Sequence, residues 1–131
     1  MHLFDSNIVI YHLNQVLPAR ATSRIEDWIV QGAYVSVVNR IEVLGYPDQT
    51  PMQEQLASET LRYFEEIPLR EPVVQGAITL RQAQSIRLGD AIIAATALEH
   101  DLSLVTRNRD DFEWIDDLSC VNPVDPGAAD D

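Results

Sequence analysis

The chain predicts an α/β fold, a mostly parallel sheet covered by helices on both faces. Short apolar, β-branched runs such as HLFD, AYVSVV and LSLVT alternate with longer segments whose apolar residues recur at helical spacing. The 131 residues make one domain, and 46% of them are hydrophobic, enough for a core. Acidic residues stand just after or within these apolar runs, where a folded chain ordinarily hides hydrocarbon and sends charge to water.

In order, His2 to Asp5 reads as an opening strand that runs into a helix from Asn7 to about Gln15, broken by Pro18. A second helix is expected from Ser23, a good N-cap, to Gln31, with Ile25, Trp28 and Ile29 on one face and Gly32 as its stop. AYVSVV is the next strand, and its end leads into a helix through Glu42 that Pro47 closes. A polar helix is expected from Pro51 to Glu66, carrying Leu56, Thr60, Leu61 and Phe64 at helical spacing, and another from Pro72 to Gln84. Gly89 and Asp90 open the most apolar helix, Ala91 to His100; LSLVT and SCVNP are short strands. Residues 1–123 form the expected domain. From Pro123 onward the chain, ending PGAADD, reads as a frayed acidic tail, with 124–131 outside the domain.

Composition narrows the function. The formal charge is −12, from 21 acids against 9 bases, and all the bases are arginines. Such a surface repels a polyanion at long range, so any phosphate must be held locally, by arginine and metal. Uncharged stretches such as Trp28 to Asn39 fall short of the roughly 18 apolar residues of a membrane span, and no basic-then-apolar leader opens the chain. A cytoplasmic protein with no membrane partner is expected. Cys120 is the only cysteine, which excludes an internal disulfide and a thiolate metal cluster and leaves a plain buried thiol.

Asp5, Glu42 and Asp90 stand out. Asp5 falls at the end of a strand, where parallel sheets place their sites. Asp90 shares a helical face with Ile93, Ala94 and Ala97, and Glu42 aligns with Val38 and Tyr46, so each acid leans toward the core. Either aspartate alone could be a helix cap, and Glu42 alone a solvated helix residue. Three inward-leaning acids together are hard to bury without a cation, which points to metal-dependent chemistry.

At FDSNIVIYHL, SVVNRIEVLGYP and IRLGDAIIAATALEHDLSLVTRNRDDF the chain resembles the PIN domains, in particular VapC-type ribonuclease toxins of toxin–antitoxin pairs, nearly end to end. The resemblance implies a PIN-like three-layer α/β/α sandwich. It places Asp5 in the first acidic motif with Asn7 as its supporting polar residue, Glu42 in the second, and Asp90 on the third acid. Thr106 and Asn108 fall on a Thr-x-Asp/Asn position near the fourth, and Asp111 followed by Phe112 matches the acid-aromatic step that ends the motif. Asn108 departs from relatives that carry aspartate there, which leaves the second metal open, with Asp110 or Asp111 as substitutes.

The implied activity is hydrolysis of an RNA phosphodiester with Mg²⁺ or Mn²⁺, hard ions that prefer carboxylate oxygen and retain waters. Asp5, Glu42, Asp90 and Asp111 are the catalytic candidates, and Asp5, Asp90, Glu42 and Asn108 the metal ligands. Thr106, Ser6 and Asn7 are their supports, and Arg87, Arg107, Arg109 and Arg40 are candidates for phosphate. The resemblance also implies a homodimer and a small cognate antitoxin. Alternatives are a PIN-like binding module that has lost catalysis and a housekeeping RNA-processing nuclease. Phosphotransfer domains that also end their first strand in aspartate use a lysine, and this chain has none.

Overall fold

Alternation along two central strands sets the layering. In the computed structural model, which describes residues 1–125, β1 (His2–Phe4) and β4 (Ser103–Val105) pair in parallel with Leu3 opposite Leu104 and Phe4 opposite Val105. Successive side chains point to opposite faces, so Leu3 and Leu104 enter one core while Phe4 and Val105 enter the other. Two buried cores on one sheet require helices on both sides. Parallel neighbours in turn need crossover connections, which the helices supply.

The sheet has five strands in the order β3-β2-β1-β4-β5, every pair parallel, with β2 at Ala33–Ser36, β3 at Glu65–Ile67 and β5 at Cys120–Val121. After β1 the chain winds outward through β2 and β3, then crosses back to lay β4 and β5 on the other side. The order therefore reverses between β1 and β4, the switch point where such sheets open a crevice at their carboxyl ends.

One core is covered by α1 (Ser6–Leu13), α2 (Ala19–Gly32) and α4 (Pro51–Leu61), whose Ile8, Ile25, Trp28 and Ala57 pack with Phe4 and Val35. The Trp28 ring stacks on His2 at 4.6 Å and meets the edge of Phe4 at 6.3 Å. The other core is covered by α6 (Leu88–Glu99), an alanine-rich helix buried on several sides, with α5 (Glu71–Ala83) packed against it. A Cβ on Gly76 would stand 3.2 Å from that of Ala95, so glycine there permits the close approach of α5 and α6. Between β2 and α4 lies α3 (Val37–Leu44), entered through a reciprocal cap: the Asn39 N–H donates to Ser36 Oγ, and the Ser36 N–H donates to Asn39 Oδ1.

The parallel α/β/α sandwich is as the sequence predicts, but three local expectations differ. The helix expected from Pro51 to Glu66 ends at Leu61, and Glu65–Ile67 is an edge strand. Its three residues include two exposed glutamates, too short and too polar for a period-two signal, although Phe64 just before it is buried. The second helix starts at Ala19, behind Pro18, rather than at Ser23. Pro18 is the N-cap of this helix, and α1 has already ended at Leu13; proline's fixed φ suits a helix entry and its missing N–H costs nothing there. Val37 and Val38 belong to α3, not to the AYVSVV strand, because the Ser36 cap turns the chain.

Pro123 to Asp125, where the tail was expected to begin, are held down by arginines of α2. Arg24 donates to the carbonyls of Pro123 at 2.8 Å and Asp125 at 2.6 Å, and Arg20 to that of Val124 at 2.6 Å. The rest of the expected tail, 126–131, lies outside the described residues. Among the described residues, no helix is long and apolar enough to cross a membrane.

Candidate active site

Asp5 stands where β1 passes into α1. Its N–H donates to the Val105 carbonyl at 2.9 Å, continuing the ladder with β4, while its own carbonyl accepts from Ile8 and Val9 in the first helical turn. The side chain does not cap that helix. It is held instead by Thr106, fully buried just beyond β4, whose hydroxyl donates to Asp5 Oδ2 at 2.9 Å. Thr106 Oγ1 accepts in turn from the Asn108 N–H at 3.1 Å, which leaves the hydroxyl proton for the carboxylate.

Burial pushes the Asp5 carboxyl up to about 6; the Thr106 hydroxyl and the Ser6 backbone N–H resist the rise, and the charges of Asp90 and Glu42 add to it. Asp90 lies in the first turn of α6, half-buried, and the residue that caps this helix is Arg87. Burial raises its carboxyl too, against the opposing pull of Arg87 and with help from Glu42 and Asp111. Asp5 occupies the N-cap position of α1 without a side-chain cap bond, Asp90 lies inside the first turn of α6, and each feels the other acids.

Glu42 differs from the sequence expectation. Val38 is partly buried, but Glu42 and Tyr46 are exposed, because α3 turns Asn39 and Val43 inward instead. Glu42 therefore reaches the acids from the solvent edge, with Ser6 Oγ donating to its Oε1 at 2.5 Å.

Asp5, Glu42, Asp90 and Asp111, together with Asn7, Asn108 and Arg87, line one pocket of about 200 Å³ at the switch point. Thr106 lies behind it, on Asp5. Asp110 instead lines a neighbouring hollow of about 330 Å³ with Arg107 and Arg109. A cavity of about 580 Å³ between α1, α2 and α4 is the larger concavity, but Leu13, Leu17, Ile29 and Tyr63 give it an apolar wall and Glu26 is its one carboxylate. The acids gather in the small pocket.

Of the four arginines proposed for phosphate, Arg87 is the one that lines the acidic pocket. Arg40 pairs with Glu66 through two bonds of 2.5 and 3.2 Å, Arg109 pairs with Asp125 at 3.2 Å, and the Arg107 guanidinium lies 5.4 Å over the Tyr11 ring. Cys120 is partly buried, and burial pushes its thiol up to about 11, so it is inert at neutral pH. Two neighbours escaped sequence reasoning: Asn39, fully buried against Ser6, and Gly89, beside Glu42. The S-x-x-N spacing of Ser36 and Asn39 was the available signal for the first.

The pocket offers oxygen donors without histidine or cysteine, a set suited to a hard divalent ion. The ion pairs among the described residues, Arg40 with Glu66 and Arg109 with Asp125, include none of the pocket's acids, and Arg87 is the cation that opposes the rise at Asp90. No three acids, histidines or cysteines among the described residues are drawn together tightly enough to hold an ion by themselves. What supports a hard ion is the chemistry of the oxygen donors alone, of the kind that Mg²⁺ takes while it keeps several waters.

Residues 3–118 match the family model of the PIN domain, and the chain belongs to that family. It is 32% identical over 128 residues to Ribonuclease VapC10 of Mycobacterium tuberculosis, covering 90% of each chain, and 26% identical to Toxin FitB of Neisseria gonorrhoeae, covering 94% of this chain and 98% of that one. Among solved structures it superposes on a chain of a toxin–antitoxin complex from Klebsiella pneumoniae with a TM-score of 0.77 at 31% identity, covering 94% of this chain and 98% of the other. A chain of VapBC2 from Rickettsia felis shares the fold at a TM-score of 0.81 and 20% identity, over 92% and 97% of the two chains.

The Asp5 environment makes stability depend on pH with a definite sign. Its folded carboxyl titrates at about 6 against an ordinary 3.8, so the fold favours the protonated form. The penalty is absent below the ordinary value, grows between pH 4 and 6, and is complete above about 6, where it reaches roughly 3 kcal/mol. Without divalent ions, Asp5→Asn should therefore stabilise the protein at pH 7.5, with a gain that shrinks as pH falls through 6 toward 4. Urea denaturation in chelator at several pH values measures this, and a variant less stable than the parent at pH 7.5 would contradict it.

Proposed function

We propose that this chain is a Mg²⁺- or Mn²⁺-dependent endoribonuclease, the toxin of a VapBC-type toxin–antitoxin pair. The observation that carries the reading is the meeting of Asp5, Glu42 and Asp90 in one oxygen-lined pocket at the switch point of the sheet. Asp5 and Asp90, both held near the core, are the principal ligands, and Glu42 is the third acid. A divalent ion bound there supplies positive charge against phosphate and lowers the pKa of water in the pocket.

The chain's own residues do the rest. Thr106 fixes the Asp5 carboxylate through one defined hydrogen bond. Arg87 stands at the mouth with a guanidinium able to fork onto phosphate oxygens, and Asn7 and Asn108 offer neutral amides beside it. With a charge of −12, the surface leaves substrate capture to this short list of local contacts. A small antitoxin is the proposed protein partner, in keeping with the VapBC and toxin–antitoxin complexes among the structural relatives, and a homodimer is the proposed assembly. Placement of all three acids in one pocket favours catalysis over a binding module that has lost it.

Purified protein should cleave RNA with Mg²⁺ or Mn²⁺ and stop when the ion is chelated. Asp90→Asn should lower cleavage by about two orders of magnitude or more while remaining folded, and should relieve growth arrest on expression. Undiminished cleavage by Asp90→Asn, in preparations free of other nucleases, would remove the assignment.

Asn108 and Asp111 both line the pocket, so the fourth ligand is open to a direct comparison. If Asn108 occupies that position, Asn108→Asp should strengthen metal binding, because a full charge replaces a dipole, and cleavage at limiting Mg²⁺ should rise. If Asp111 stands in for it, Asp111→Asn should cause the larger change, as a loss. Mg²⁺ titrations of cleavage for the two variants separate these cases, and no response from either would leave a site of three acids.

A further inference from the structure

Glu42 is exposed on α3, yet its carboxylate has a neighbour at each oxygen, a hydroxyl donor at one and the start of α6 near the other. Oε1 takes the Ser6 hydroxyl proton at 2.5 Å. The direction of that bond is dictated from behind. Asn39 is fully buried, and its Oδ1 must accept, since the Ser36 backbone N–H points at it from 2.6 Å. Its amide nitrogen is thereby turned toward Ser6 Oγ, to which it donates at 2.8 Å. A hydroxyl has one proton, and with a donor already facing its oxygen, Ser6 gives that proton to Glu42.

The second oxygen is bounded by α6. A Cβ on Gly89 would stand 3.0 Å from Glu42 Oε2 and 3.6 Å from Val38 Cγ1, so a side chain at 89 would press the carboxylate away from the first turn of that helix by a few tenths of an ångström. Gly89 does not have the left-handed backbone that would itself demand glycine; Gly32 is the glycine that does. Its smallness matters here through what lies beside it.

We propose that Ser6, oriented by Asn39, and Gly89 are positioning residues that hold the Glu42 side chain over the acidic pocket. The proposal rests on the metal-site reading above and adds how an exposed glutamate keeps one orientation without an arginine or lysine to tie it. A long side chain on a solvent-facing helix otherwise samples several rotamers, and each one pointing away removes a ligand.

The test is Mn²⁺ affinity by calorimetry in the full chain, with Ser6→Ala and Gly89→Ala each made alone and in a Glu42→Ala background. Each single variant should weaken Mn²⁺ binding roughly tenfold, the lower end of the range for residues that orient a ligand. In the Glu42→Ala background the same changes should alter affinity less than about twofold, because their effect passes through that one carboxylate. Gly89→Ala also replaces glycine by a better helix former within α6, so it should melt no lower than the parent, which separates displacement of Glu42 from general damage. Should Ser6→Ala fail to fold after stranding the Asn39 amide, Gly89→Ala still decides the matter. Equal losses with and without Glu42, or wild-type affinity in Gly89→Ala, would overturn the proposal alone. A parent protein that binds no Mn²⁺ would overturn the metal reading and this proposal together.

Discussion

The Asp5 carboxylate is buried at the end of the central strand, and no arginine pairs with it among the described residues. Thr106 and the Ser6 N–H supply hydrogen bonds, but they do not offset burial plus the charges of Asp90 and Glu42, so the carboxyl rises to about 6. A fold that keeps such a group gives up stability above about pH 6 and, under the metal-site reading proposed above, gains a place for a cation. The neighbouring features follow from serving this group: the Thr106 hydroxyl aimed by the Asn108 N–H, Asp90 brought up by α6, and Glu42 held at the rim.

Topology explains why such distant residues meet. β1 and β4 are neighbours although a hundred residues of winding separate them, and their shared carboxyl edge juxtaposes Asp5 with Thr106. The next strand, β2, ends in Ser36, whose cap starts α3 and thereby sets Asn39 against Ser6 and Glu42 above it. On the other face the helix entering β4 presents Asp90 from its first turn. One sheet edge thus gathers acids from three segments of the chain, and the layers behind it exclude water from Asp5 more than from Glu42.

Much of this was legible in the sequence. Asp5 and Asp90 were recognisable because strong apolar patterns surround them, and a pattern that continues through an acid places the acid near a core. Glu42 was harder: its stripe partners Val38 and Tyr46 imply an inward residue, but α3 is only 8 residues long and buries Asn39 and Val43. The strand at Glu65–Ile67 was invisible because an edge strand of three residues with two glutamates carries no alternation to read. Asn39 escaped because its role lies in a hydrogen-bond direction set by tertiary contact, and Gly89 because a glycine near a helix start reads as an opening signal rather than as space for a carboxylate.

The most direct measurement is the anomalous scattering of Mn²⁺ in crystals of the protein grown or soaked with that ion. The account predicts a peak in the pocket bounded by Asp5, Glu42 and Asp90, with carboxylate oxygens from Asp5 and Asp90 and ordered waters completing the shell, and its loss in Asp5→Asn. A parent crystal with no peak there at saturating Mn²⁺, or one whose peak persists unchanged in Asp5→Asn, would contradict the claim that these acids are gathered to hold a cation.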